Sequence, residues 1–202
     1  RPKIQKLLDR YLVEVETHTP QRAFRDSLIS DIEHFSPQDA LNQIEVDQDV
    51  KPVDWIQGGT DNAKSRLVHF IEKKLDYFDT KRNDPSEDFL SNMSPYLHFG
   101  QISPLFIALT VMETDSPGAE SYLEELIIRR ELSMNFVYYN EHYDSLNCLP
   151  NWARTTLKTH ADDERESVYS LEEFENAETH DAYWNAAQRE MVKRGKMHGY
   201  MR

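Results

Sequence analysis

The chain has 202 residues, with 23 Lys or Arg against 36 Asp or Glu, and a formal net charge of −13. Its 39% apolar and 11% aromatic content excludes global disorder. A mean hydropathy of −0.74 excludes a membrane-spanning helix, and the acidity excludes a uniformly basic nucleic-acid surface, so any anion site must be a confined patch.

Residues 2–13 carry Ile4, Leu7, Leu8, Tyr11 and Leu12 at helical spacing. Thr19 before Pro20 reads as a cap with proline at the first helical position, and Phe24, Leu28, Ile29, Ile32 and Phe35 form the next stripe. Ser36-Pro37 opens a short helix, and residues 45–59 read as a loop or linker. Thr60 is then expected to cap a longer helix with Ala63, Leu67, Phe70, Ile71, Leu75 and Phe78 on one side.

The stretch NMSPYLHFGQISP, residues 92–104, sets Pro95 close to Gly100 with Tyr96, Leu97, His98 and Phe99 between them. Proline disfavours the helical region for Ser94, and glycine admits a left-handed backbone. Two readings stand: a helix boundary built of core residues, or a backbone shaped around a ligand. Residues 105–112 follow, apolar on most faces and expected to be buried. After Pro117-Gly118, residues 119–139 form the most hydrophobic candidate helix.

Pro150, Asn151 and Trp152 start another helix, and Ser170 with Glu173 spells a capping box. Asp181 is expected to cap a last helix over 182–194, ended by Gly195. No strand alternation, repeat or low-complexity tract is visible, so the expected fold is all-α. Met197, Tyr200 and Met201 continue an apolar pattern up to Arg202, which reads as a fragment boundary. No basic-then-apolar leader marks the start, and the single Cys148 excludes an internal disulfide and fits a reducing compartment.

Charge is uneven along the chain. Residues 189–202 hold five cations against Glu190 alone, whereas residues 162–181 hold nine acids and only Arg165. Within the apolar helix, Glu125 and Arg129 are four apart and can pair on one face. Such charges mark either a structural ion pair or a cavity. The eight histidines show no ligand spacing, so no metal site is read. No phosphate-cradling glycine loop and no nucleophile elbow is present. Trp184 is either a core or groove tryptophan or an aromatic electron relay, and spacing does not choose.

Several longer words occur in one order: SPYLHFGQIS (94–103), ELIIRREL (125–132), NFVYYN (135–140), YDSL (143–146), PNWARTTLKTH (150–160) and THDAYWNAAQREMVKRGKMHGYMR (179–202). Together they resemble the catalytic, flavin-binding region of class II cyclobutane pyrimidine dimer photolyases, within the photolyase/cryptochrome family. The opening RPKI resembles the segment after that family's α/β antenna domain. The resemblance implies interdomain linker helices over 1–58 following an absent antenna domain. It implies the N-terminal part of a helical FAD-binding catalytic bundle over 59–202, truncated on its C-terminal side.

It further implies FAD, active in the reduced anionic form, an antenna chromophore housed in the absent domain, and UV-damaged DNA carrying a pyrimidine dimer as substrate. A monomer without membrane or metal partners, in the cytoplasm or nucleus, is expected. Carried over by motif, Leu90, Ser91, Asn92, Met93 and Ser94 would wrap the flavin diphosphate. Tyr96, Leu97 and Phe99 would pack to hold that turn. Glu125 and Arg82 would meet the dimer, and Ile128 and Arg129 would line the cleft beside the flavin. Lys196, Met197, Gly199 and Arg202 would border its ring, and Trp184 would belong to the photoreduction relay. At Phe78 the family has a tyrosine that bonds a flavin phosphate; either Tyr77 substitutes or that bond is lost. Two other readings are a cryptochrome-like photoreceptor without repair and an inactive helical scaffold. The isolated 202 residues are expected to repair weakly or not at all.

Overall fold

The computed structural model describes residues 1–16, 36–47 and 49–201, and it divides the chain into two compact units. One comprises Arg1–Val13 and Trp55–Arg202, the other Glu14–Asp54. The larger unit opens with α1 (Pro2–Gln5) and α2 (Leu8–Tyr11), two short helices where the apolar spacing predicts one. The break lies at Leu7, whose N–H bonds back only three residues, to Ile4. In the smaller unit α3 (Pro37–Gln43) begins as expected, with the Ser36 hydroxyl accepting from the Asp39 N–H at 3.3 Å. The cap at Thr19 and the stripe from Phe24 to Phe35 lie outside the described residues.

Helix α4 (Thr60–Lys73) buries Ala63, Leu67 and Phe70 on one face. Its cap is Gly59 rather than Thr60. Gly59 takes φ +107°, donates its N–H to the Gln101 side chain at 2.9 Å and accepts from Ala63 N–H. A 3₁₀ turn at Leu75–Tyr77 leads into α5 (Phe78–Lys81), so Leu75 and Phe78 stay buried after the α-helix ends. The Phe70, Phe78 and Tyr122 rings meet edge-on or tilted, with centroids 4.8–5.7 Å apart, and form the centre of the core.

Two short helices follow, α6 (Ser94–His98) and α7 (Pro104–Met112). The Ser103 hydroxyl caps α7, which buries Ile107, Ala108 and Val111 but leaves Phe106 and Met112 exposed, so only one side of that apolar run enters the core. Helix α8 (Ala119–Leu123) starts where Gly118 lies flush against the turn after α4. A Cβ at Gly118 would sit 1.8 Å from the Leu75 carbonyl oxygen, so glycine is required by contact. The expected single helix over 119–139 instead passes through a π-turn at Glu124–Arg129 before α9 (Arg130–Tyr139), whose residues after Glu131 are mostly exposed.

Helices α10 (Asn151–Thr159), α11 (Leu171–Glu175) and α12 (Ala182–Arg194) complete the unit, followed by a 3₁₀ turn at Gly199–Met201. The Ser170–Glu173 capping box forms in both directions. Asp181 accepts from Tyr183 and Trp184, and Gly195 ends α12 in the left-handed region at φ +64°. Among the described residues no strand forms, and the fold is all-α.

Candidate functional site

The sharp turn of the 92–104 stretch falls earlier than proline alone suggests. Ser94 is already the first helical residue and Pro95 the second; the reversal is at Asn92, φ +54°. Asparagine is among the few non-glycine residues that adopt this conformation at low cost. The Asn92 amide reaches the Leu90 carbonyl at 3.5 Å, and the Met93 N–H reaches the Ser91 hydroxyl at 3.4 Å. The turn is clamped from behind. Met93 and Tyr96 are buried, and the Tyr96 hydroxyl donates to the Gln57 carbonyl at 2.8 Å. Phe99, expected to help hold the turn, is 72% exposed and contributes nothing there. Gly100 closes α6 at φ +65°, and the Gln101 N–H returns to the Tyr96 carbonyl.

This turn forms one wall of a cleft of about 360 Å³. Leu90, Ser91, Asn92, Met93 and Ser94 line it together with Phe78, Arg82, Glu125 and Gly199, so sequence segments up to 121 residues apart converge. Arg82 Nη1 meets Glu125 Oε1 at 2.6 Å, and the guanidinium lies 5.4 Å from the Phe78 ring centre. Its Nε is buried with no hydrogen-bond partner among the described residues. A buried donor left unsatisfied costs about 1–3 kcal/mol. The pair itself, with both side chains partly exposed, contributes about 1 kcal/mol at most. The arrangement is thus worth little as a staple and is better suited to meeting an oxygen-rich ligand.

The π-turn decides which side chains reach that cleft. A π-turn closes i→i+5 instead of i→i+4 and inserts one residue into the helical register. Glu125 therefore shares its face with Arg130, not with Arg129 four residues on. Arg130 lines the cleft and, among the described residues, has only a 4.0 Å ion contact, with Glu131. Arg129 is exposed, 3.9 Å from Glu124, and outside the lining. Ile128 is buried and turns instead to a separate hollow shared with Leu8, Leu12 and Leu123. The expected Glu125–Arg129 pair is replaced by Arg82–Glu125 for this reason.

Other expected residues lie elsewhere. Lys196 and Met197 are outside the cleft lining, with Lys196 Nζ 5.6 Å from the Trp55 ring centre. Trp184 is half-buried against Phe174, with centroids 5.0 Å apart, and does not line the cleft. Arg202 lies outside the described residues. Tyr77 is half-exposed and packs on Phe89, so it does not replace the hydroxyl missing at Phe78. Tyr122 also lines the cleft, its hydroxyl hydrogen-bonded to the Ser91 side chain; burial raises its pKa above the usual tyrosine value.

Tyr122, Arg130 and Tyr200 are cleft residues that sequence reasoning missed. Tyr122 was findable, three residues before Glu125 on the same helical side; Arg130 was not, because nothing in ELIIRREL announces a π-turn. His198, just before the lining residues Gly199 and Tyr200, is buried, and its Nδ1 accepts the Tyr200 N–H at 3.2 Å. That bond fixes the proton on Nε2 in the neutral ring, and Nε2 has no partner among the described residues. No cluster of His, Cys, Asp and Glu suited to a metal occurs among the described residues.

The donor set fits a phosphate-bearing cofactor. Arg82 Nε and Arg130 supply positive donors, Ser91 and Ser94 supply hydroxyls, and the left-handed turn brings backbone close to the cleft. The volume is at the lower end of the 300–1,000 Å³ usual for ligand sites.

No family model matches the chain. In an alignment of 203 positions that takes in the whole chain, it is 50% identical to a deoxyribodipyrimidine photo-lyase of Methanothermobacter thermautotrophicus, of which it covers 44%. It is 46% identical over 162 residues to that of Potorous tridactylus, covering 79% of this chain and 30% of that protein. Against that of Oryza sativa subsp. japonica it is 41% identical over its whole length, covering 41% of the relative. The chain thus spans less than half the length of these curated relatives. A bacterial class III photolyase crystal structure from Agrobacterium tumefaciens superposes with a TM-score of 0.60 at 20% identity, over 82% of this chain and 34% of that one. That likeness shows a shared fold.

Proposed function

Because the chain belongs to the deoxyribodipyrimidine photo-lyase family, we propose that the whole protein splits cyclobutane pyrimidine dimers in DNA by light-driven electron transfer. In this reading its cleft is one wall of the site for FAD and the dimer. The family implies a flavin in general; the reduced anionic form and the residues that hold it here are this proposal's own content. One observation carries it: Arg82, the 90–94 turn, Glu125 and Gly199 meet in a single cleft.

When bound, reduced flavin would supply the electron that cleaves the dimer. The chain's residues do the rest. The 90–94 turn and its hydroxyls hold the diphosphate, with Tyr122 keeping Ser91 in place. Arg130 and Arg82 present positive charge toward phosphate and the reduced dimer. Glu125, oriented by Arg82 at 2.6 Å, holds the extruded pyrimidines by hydrogen bonding. Extrusion is required because a base inside the duplex is out of reach, and a poorly stacked lesion is cheaper to flip. The apolar wall of Phe78, Leu97 and Leu126 excludes water, which strengthens each of these interactions. Trp184, outside the lining, takes the relay role that delivers electrons to oxidised flavin.

A signalling photoreceptor would have no need for a paired Arg and Glu in the cleft, and the Arg82–Glu125 contact favours repair. The test is dimer loss in irradiated DNA incubated with the flavin-loaded whole protein. Repair in light and none in darkness is expected; equal yields in both would overturn the proposal.

A further inference from the structure

Away from the cleft lining, cations crowd around one tryptophan. Trp55 has the Arg66 guanidinium 5.4 Å, the Lys196 ammonium 5.6 Å and the Arg194 guanidinium 6.0 Å from its ring centre. The three come from separate places: Arg66 from α4, Arg194 from the last turn of α12, and Lys196 from beyond it. Trp55 holds them together, since its indole N–H donates to the Arg194 carbonyl at 2.7 Å and Arg66 donates to the Trp55 carbonyl at 3.3 Å.

Sharing one ring, the three charges lie within about a Debye length of one another, so each feels the others at ordinary salt. Among the described residues none of the three has a carboxylate within ion-pair distance. The nearby acid Asp88 is taken by Lys74 at 2.9 Å. Cation–π contact offsets part of the repulsion, about 0.5–1 kcal/mol per cation at exposed sites, but it does not neutralise the charge. Asp88 also attracts Lys196 and Arg66 at longer range, so one carboxylate shared with Lys74 faces these cations, and the cluster keeps a net positive charge that an external anion can meet.

We propose that Arg66, Arg194 and Lys196, gathered on Trp55, form a phosphate-binding site for the DNA backbone, separate from the cleft. Two arginines suit a phosphate because their planar forks match its oxygens in pairs, and Lys196 adds a point charge. Choosing DNA as the source of the phosphate rests on the repair reading above. The site would anchor the strand without reading its sequence, and so allow an acidic protein to hold DNA through a confined basic patch.

The test measures binding of an undamaged, fluorescently labelled duplex to the flavin-loaded whole protein, in darkness, against salt concentration. Arg66→Gln/Arg194→Gln should weaken binding and reduce the slope of log K on log salt by at least about 0.9, one phosphate contact. Arg66→Lys/Arg194→Lys, which keeps the charge, should retain most of the slope. Should the double Gln variant fail to fold, Arg194→Gln alone, on an exposed residue, must still lower the slope. An unchanged slope overturns the site. Loss of bound flavin with the slope intact also overturns it, because the anion would then be the cofactor's diphosphate. Absence of light-driven repair with these slope changes present would refute the repair reading and leave the phosphate site standing.

Discussion

Gly118 and Tyr122 show how single side chains shape the cleft from behind. Gly118 has the Leu75 carbonyl where its Cβ would be, so Gly118→Ala must push the helix bearing Tyr122 and Glu125 away from the turn after α4. Overpacking of this kind costs typically 1–3 kcal/mol, and contact with backbone puts this case at about 3 kcal/mol. Chemical denaturation should show that loss; an unchanged midpoint would contradict the packing. Tyr122 makes a prediction in pH. Its hydroxyl is buried, and desolvation raises its pKa above the usual tyrosine value. The folded state therefore keeps a proton that the unfolded chain releases. The resulting stability is fully present below about pH 10 and is lost as pH rises through the folded pKa. Tyr122→Phe should flatten the alkaline limb of a stability–pH curve, and an equally steep limb in both proteins would refute the assignment.

At the scale of elements, the π-turn at Glu124–Arg129 separates what the sequence expresses from what it conceals. Caps and apolar stripes are local chemistry, and several read correctly: the Ser170 capping box, the Asp181 cap, the Gly195 terminus and the buried face of α4 form, although the cap expected at Thr60 falls on Gly59 and the stripe over 2–13 breaks at Leu7. A one-residue register insertion leaves no such mark, since ELIIRREL satisfies α-helical spacing equally well. Hence α-helical spacing pairs Glu125 with Arg129, whereas the structure turns Arg130 to the cleft. The location of Lys196 was equally illegible, because its neighbour Trp55 is 141 residues away in the chain. The resemblance supplied cleft residues that periodicity could not, including the turn at Leu90–Ser94. Deleting Ile127 removes the added residue and should restore the α-helix with Arg130, then four residues after Glu125, still on the cleft face. Flavin absorbance retained by the whole protein after gel filtration should then persist, whereas Arg130→Ala in the undeleted protein should lower it. Loss of flavin on deletion, with helical circular dichroism intact, would contradict the register assignment.

For the whole molecule, an acidic, all-α chain carries cationic side chains in two confined places, the cleft and the Trp55 cluster, proposed above to meet an anionic cofactor and an anionic polymer. Its fold is that of the photolyase neighbour, and it spans less than half of its curated relatives, so the repair proposed above is a proposal for the whole protein. The claim that this cleft receives the dimer is tested most directly by Glu125→Gln in that protein, with bound flavin quantified by absorbance and dimer loss measured under light. The carboxylate's hydrogen bonds to the reduced dimer are charge-assisted, worth about 1.5–3 kcal/mol, so repair yield should fall about tenfold or more while flavin occupancy is unchanged. Wild-type repair by this variant at equal occupancy would contradict the account.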